Sequence, residues 1–340
     1  MAEMTIPPSA AKKSKVLIIG ATGFIGQFIT QAALDAGKTT YLLNRSIPKF
    51  PANEKDMKLK AFEDQGAIIL HGSIADQEFT EKLLKVHEID IVISAVGGAT
   101  ILDQLSLIIA IKNVGTIKRF LPSEFGHDVD RANPVEPGLT MYKEKRKVRR
   151  LIEELGIPFT NICCNSIASW PYHHNTHPSQ LLPPLDQFHI YGDGSVKAYF
   201  VAGSDIGKLT IKAAEDIRTI NKNVHFRPQC NYLNMNELAS LWENKIGRFL
   251  PRVFVSETHL LAAAAEKKIP ESIVASLTHD IFINGCQINF EIDGTNDVEV
   301  SILHPHESFR TMDECFHEFL LKMEKNKNIE HQNSAANHVD

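Results

Sequence analysis

In this 340-residue chain, four groups of residues have types and spacings that could do chemistry. The stretch Gly20-Ala21-Thr22-Gly23-Phe24-Ile25-Gly26 has a glycine at every third position. A turn of this kind lets a strand reverse at Gly20, a pyrophosphate approach the backbone at Gly23, and the next helix pack against the sheet at Gly26. Thr22, Phe24 and Ile25 carry the same turn into the helix, whose first N–H groups and positive dipole end point at the phosphates. Further along, Asn44-Arg45-Ser46 stands where an NAD site places an acid on the ribose 2′-hydroxyl, about 20 residues on. A guanidinium there suits a 2′-phosphate, so the expected cofactor is NADPH. Lys55 is either a second cation for that phosphate or a solvated surface lysine.

The third group is Tyr142, Lys145 and Arg149, which share a helix face by their spacing. The Tyr-x-x-x-Lys pair of short-chain dehydrogenases is broken here, because Arg146 occupies the fourth position. Lys145 can itself act as a base if its pKa is depressed. It could equally be one surface cation of the run KEKRKVRR. The fourth group is His127, in the loop Ser123-Glu124-Phe125-Gly126-His127-Asp128. At the carboxyl edge of a sheet this histidine would meet ligand; elsewhere it would be a surface residue.

These groups need a scaffold, and the sequence supplies an alternating one. Short β-branched runs at 15–19, 39–43, 67–70, 89–94, 119–122 and 159–163 are separated by helical stretches at 27–36, 55–65, 77–86, 102–114 and 142–155. Six strands alternating with helices predict an α/β, doubly wound parallel Rossmann sheet. After residue 165 the pattern breaks up around Pro171, Pro178, Pro183 and Pro184. Extended runs at 196–201 and 224–227 and helical ones at 205–216, 236–246, 260–267 and 313–325 suggest a smaller α/β substrate domain. Two strands besides one near 253 are expected within 253–302. The division is then a flexible leader at 1–14 and an NADPH-binding domain at 15–165, with the chain returning at about 197–228. A substrate domain at 166–196 and 229–324 and a flexible tail at 325–340 complete it.

Arg119-Phe120-Leu121-Pro122-Ser123-Glu124-Phe125-Gly126-His127-Asp128-Val129-Asp130-Arg131, the Lys145 helix, ICCN at 162–165 and THD at 278–280 together resemble one family. It is the plant isoflavone reductase-like branch of the NmrA-like atypical short-chain dehydrogenases, and the resemblance runs from about residue 15 to 324. It implies cofactor contacts at Gly20, Gly23, Gly26, Arg45 and Arg149, and Lys145 as the catalytic base. The three motifs look most like those of members that reduce flavan-3,4-diols to 2,3-trans-flavan-3-ols such as catechin, in flavonoid and proanthocyanidin biosynthesis. In that chemistry Lys145 removes the 7-hydroxyl proton, His127 protonates the departing 4-hydroxyl, and a quinone methide accepts hydride at C4. The sibling reductases commonly have Asn in place of His127. Tyr142, Asn165 and Ser166 are candidate substrate contacts; His279 either lines the pocket or is a structural histidine. The alternatives are an isoflavone- or lignan-type reductase, or a non-catalytic NADP sensor, which would typically lack the lysine.

Composition excludes other classes. Hydrophobic residues are 43% and charged residues 23%, as in soluble globular chains. A net charge of −5 gives no basic footprint for nucleic acid or anionic membrane. Five scattered cysteines make neither a C-x-x-C motif nor a disulfide framework, and Cys163 and Cys164 read as packing residues. His173, His174 and His177 have no accompanying carboxylate or thiolate motif, so no metal is expected. With neither a signal-peptide core nor a membrane-length apolar run, a cytoplasmic protein is expected.

Overall fold

The computed structural model describes residues 13–45, 53–168 and 183–336, with side chains to residue 324. Most of the leader, and the His173, His174 and His177 group, lie outside the described residues. Strand β1 (Lys15–Ile19) runs through the glycine turn into α1 (Phe24–Asp35). The alternation continues through β2 (Thr39–Asn44), α2 (Glu54–Asp64), β3 (Ile68–His71), α3 (Gln77–Val86), β4 (Ile91–Ser94) and α4 (Gln104–Val114). It closes with β5 (Arg119–Leu121), α5 (Gly138–Glu154) and β6 (Thr160–Cys163).

The sheet order is β3-β2-β1-β4-β5, all parallel, and a bridge from Phe120 to Phe159 leads on towards β6. Val16 and Ile18 of β1 enter one core cluster while Leu17 and Ile19 enter another. A strand buried on both faces needs no polar alternation, which is why these runs read as continuous apolar segments. Side chains of α1 and α2 fill the first cluster, and those of α3, α4 and α5 the second, so helices cover both faces. The order reverses between β1 and β4, and there the strand ends open a crevice for ligand.

Beyond β6 come β7 (Ser166–Ile167), β8 (Phe188–Tyr191), β9 (Lys197–Val201), α6 (Gly203–Glu215), β10 (Lys222–His225) and β11 (Tyr232–Asn234). Then follow α7 (Met235–Ile246), β12 (Arg252–Val255), α8 (Glu257–Ala265), α9 (Glu271–Phe282), β13 (Asp297–Glu299), α10 (Val300–Leu303) and α11 (Met312–Ala336). A third core cluster, with Phe188, Phe200, Trp242, Phe282 and Phe316, sits in this half.

Several expectations are corrected. The run at 196–201 does not return to the first sheet; β9 pairs with β7 and β11. The return begins with α6, which packs on α1, and continues with β10 parallel to β6. The chain then comes back a second time, because β13 pairs parallel with β10. The interval 253–302 holds only one of the two further strands expected, and a helix, α9, that the sequence reading lacks. The segment expected to be a flexible tail is helical as far as Ala336. Among the described residues, no helix is long and apolar enough to cross a membrane.

Candidate active site

The first part of the site follows from the glycine turn. Gly20 has a φ of +84°, and a Cβ there would lie 2.5 Å from the carbonyl oxygen of Ala95. A Cβ on Gly26 would lie 2.0 Å from the carbonyl oxygen of Gly20. The turn is thus pressed against the end of β4 and against its own beginning, and only glycine fits. Gly23 is the N-cap of α1 and offers no capping side chain. The first N–H groups of α1, from Phe24 and Ile25 onward, therefore have no side-chain cap, as an anion site needs, and the side chains of those two residues do not line the cleft.

The cleft over this turn is lined by Gly20, Thr22, Gly23, Asn44, Arg45 and Lys55, and also by Val96, Gly97 and Asp103. Arg45 follows directly on β2 and Lys55 lies in the first turn of α2, so both cations reach the same cleft. A bare helix N-terminus at the sheet's switch point, with two cations beside it, fits a dinucleotide bearing a 2′-phosphate. Val96, Gly97 and Asp103 are cleft residues that the sequence reading did not name, although Gly97-Gly98 after β4 is a loop signal that could have pointed there.

The second part is a pocket lined by Phe125, Gly126, His127, Met141, Tyr142, Lys145, Asn165, Ser166, Ile167, Leu277 and Ile281. Five residues predicted from sequence, His127, Tyr142, Lys145, Asn165 and Ser166, meet here. The loop after β5 brings His127, the inner face of α5 brings Tyr142 and Lys145, and the chain after β6 brings Asn165 and Ser166. This loop is tied to the cofactor cleft, since the Ser123 hydroxyl donates to the carbonyl oxygen of Val96. Asn165 has a φ of +61°; its N–H donates to the Gly126 carbonyl at 3.0 Å and its amide to that of Phe226 at 2.9 Å. The Ser166 hydroxyl accepts from Gln287 at 2.7 Å.

The Tyr142 hydroxyl and His127 Nδ1 lie 2.5 Å apart, and both side chains are buried. Burial pushes the imidazole down to about 4, and the charge of Lys145 adds to this. The unperturbed value near 6.5 expected of a loop histidine therefore does not apply: His127 is neutral at neutral pH. Burial also pushes the Tyr142 phenol well above its ordinary value. Lys145 Nζ donates to the Glu124 carbonyl at 2.7 Å. Burial lowers its pKa; Glu124 opposes that shift and Arg149 reinforces it.

Two sequence-predicted site residues lie elsewhere. Arg149 does not line the cofactor cleft: its guanidinium is buried and pairs with Glu124 at 2.9 Å and Asp128 at 2.7 Å. The spacing puts it on the right helix face, but the acids of the loop above claim its donors. His279 turns away from the pocket and meets Glu257 at 3.0 Å. Its neighbours Leu277 and Ile281, one helix position pair to either side, form that wall instead. Cys163 and Cys164 are buried, with burial pushing both thiols up, the second to about 12, so neither is a thiolate. Asp128, Cys163 and His225 lie close together, but the carboxylate is engaged by Arg149 and Arg131, and His225 by Asp297.

Comparison with known proteins agrees with this architecture. A family model described as the NmrA-like family matches residues 12–316. A leucoanthocyanidin reductase from Desmodium uncinatum is 64% identical over 308 residues, covering 91% of this chain and 80% of that protein. A phenylcoumaran benzylic ether reductase from Ginkgo biloba is 44% identical, over 91% of this chain and 99% of that protein. Among solved structures, the binary complex of leucoanthocyanidin reductase with NADPH from Vitis vinifera superposes with a TM-score of 0.87 at 65% identity, covering 91% of this chain and all of that one.

Proposed function

The chain belongs to the NmrA-like family, and from that premise we propose that it is an NADPH-dependent reductase converting a flavan-3,4-diol to a 2,3-trans-flavan-3-ol. The observation that carries the reading is the meeting of Lys145 and His127 in one pocket, beside a cleft suited to a 2′-phosphorylated dinucleotide. The likeness to leucoanthocyanidin reductases supports the substrate class.

A flavan-3,4-diol has no carbonyl for hydride to attack, so the residues must first create an electrophile. Lys145, kept towards its neutral form by burial, takes the proton of the 7-hydroxyl. Electron density moves through the ring and the C4–O bond breaks. The departing oxygen needs a proton, and a histidine that is neutral at rest supplies it only if it is resupplied. Tyr142 can do this: its hydroxyl lies within hydrogen-bond distance of Nδ1, and in the tautomer where it donates there the imidazole proton sits on Nε2. As Nε2 gives its proton to the leaving hydroxyl, Nδ1 takes that of the phenol. Water and a tyrosinate result; burial disfavours the tyrosinate, so it takes up the solvent proton that the net reduction consumes. NADPH, when bound, supplies the hydride for C4 of the quinone methide. Asn165 and Ser166 line the wall against which the flavan rests, and Leu277 and Ile281 give it an apolar face.

The decisive assay supplies NADPH and a 2,3-trans-flavan-3,4-diol and resolves the product by chiral chromatography. A 2,3-trans-flavan-3-ol is expected. Reduction of an isoflavone or a lignan ether instead of the diol overturns the substrate reading. For the cofactor, Arg45→Ala is expected to weaken NADPH binding roughly ten- to a hundredfold, the equivalent of about 1.5–3 kcal/mol for a charged hydrogen bond. NADH binding, measured by the same titration, should change far less. Equal losses for the two cofactors would mean that Arg45 supports the loop and does not read the phosphate.

A further inference from the structure

This inference rests on the reading of Lys145 as the base, an amine influenced by one carboxylate, Glu124, and one guanidinium, Arg149. Arg149 follows Lys145 by one turn of α5 and is 2% exposed. Besides Glu124 and Asp128, it reaches Asp130 at 3.1 Å. Its donors therefore hold both flanks of the segment that contains His127. Between them Phe125 has a φ of +38°, a conformation that costs energy in a residue with a side chain and persists only when its surroundings enforce it. Glu124 is the residue common to both basic groups: its carboxylate accepts from Arg149 and its carbonyl from Lys145. Burying a guanidinium and two carboxylates is costly, and apolar side chains would pack such a loop as well or better. The steps described above leave these charges without a task.

We propose that Arg149 and Glu124 form a positioning pair that places Lys145 and His127 together and sets the charge of the lysine. Glu124 fixes the direction of the amine through its carbonyl and favours the ammonium through its carboxylate. Arg149 pins Glu124 and favours the neutral amine. The pair acts in opposition, so neither charge alone fixes the lysine. The other groups facing Lys145 add little charge: His127 and Tyr142 are neutral, and the Cys163 and Cys164 thiols are held protonated by burial.

The test titrates Lys145 itself, by the Cε chemical shift of 13C-labelled lysine in the full chain, for the unaltered protein, Arg149→Met and Glu124→Gln. Arg149→Met is expected to raise the midpoint and Glu124→Gln to lower it, each by about one pH unit, the size expected of a neighbouring charge. Activity that needs the neutral amine rises with pH through that midpoint. The acid limb of kcat should therefore move to higher pH in the first variant and to lower pH in the second, with NADPH affinity kept. Shifts of the same sign, or none, overturn the proposal. If Arg149→Met fails to fold, Glu124→Gln decides alone, and a midpoint that stays or rises overturns it. The titration needs no substrate, so an enzyme that proved inactive on flavan diols would refute the assigned reaction while the midpoints still judge the pair.

Discussion

Lys145→Ala should lower kcat by about 10²–10⁴-fold, the range that a positioned general base contributes, while the protein remains folded and binds NADPH as before. The physical basis is the burial of this amine. An ordinary surface lysine is protonated at neutral pH and cannot accept a proton, whereas burial and Arg149 push Lys145 towards the form that can. The amine also has a defined direction, since its bond to the Glu124 carbonyl at 2.7 Å fixes one donor. The substitution removes that bond but leaves the loop held by Arg149, so loss of fold is not the expected cause of inactivity. Steady-state rates together with a fluorescence titration of NADPH distinguish the cases. A variant with a near-normal kcat would place the base elsewhere. A variant that loses NADPH along with its rate would make Lys145 a cofactor residue.

His127→Asn is expected to produce a comparable loss, with a different signature. Hydroxide is a poor leaving group, so the C4–O bond breaks only if the oxygen is protonated as it departs. Asparagine keeps the size and a donor but cannot release a proton. Turnover of the diol should therefore fall by about 10²–10⁴-fold while NADPH binding persists. Reduction of a pre-formed quinone methide analogue should be far less affected, because hydride transfer needs no acid. Equal damage to both reactions would mean that His127 orients substrate. The pH profile adds an independent check. With its imidazole pushed down to about 4, His127 stays neutral from physiological pH down through the mildly acidic range. No change in kcat should trace to a histidine titrating near 6.5, where an exposed imidazole would titrate.

The cofactor half was legible in sequence because its signals are local. The β1 run is bounded by the glycine turn, the helices end at Gly37, Gly66, Gly115 and Gly156, and Arg45 falls at the end of β2. Lys145, Tyr142 and His127 could be read because one helix and one short loop carry them. What was missed depends on distant chain. Helix α9 is buried at every residue from Val274 to Phe282, so it shows no polar face and no helical period to detect. Its Leu277 and Ile281 form a pocket wall more than a hundred residues away in sequence from His127. His279 follows from the same fact, since a residue between two pocket-facing positions on a helix must point elsewhere. Arg149 was misplaced because spacing shows a helix face but not what folds over it. Strand β13, one of the two further strands expected within 253–302, is only three residues long, and its partner β10 lies more than seventy residues earlier, so its place in the sheet could not be read locally.

That short strand decides when the molecule can finish folding. The row of parallel strands that begins with β3 ends only when β13 has paired with β10 and Arg131 has met Asp297. During translation the nucleotide-binding half therefore waits for almost the whole chain to emerge, with β6 an open edge until β10 pairs with it and β10 the open edge until β13 arrives. A fragment cut after β6 would keep the glycine turn and both cations of the cofactor cleft. It would also carry that edge permanently, a template for pairing with other copies, so it should aggregate during expression and should not behave as a stand-alone nucleotide-binding module.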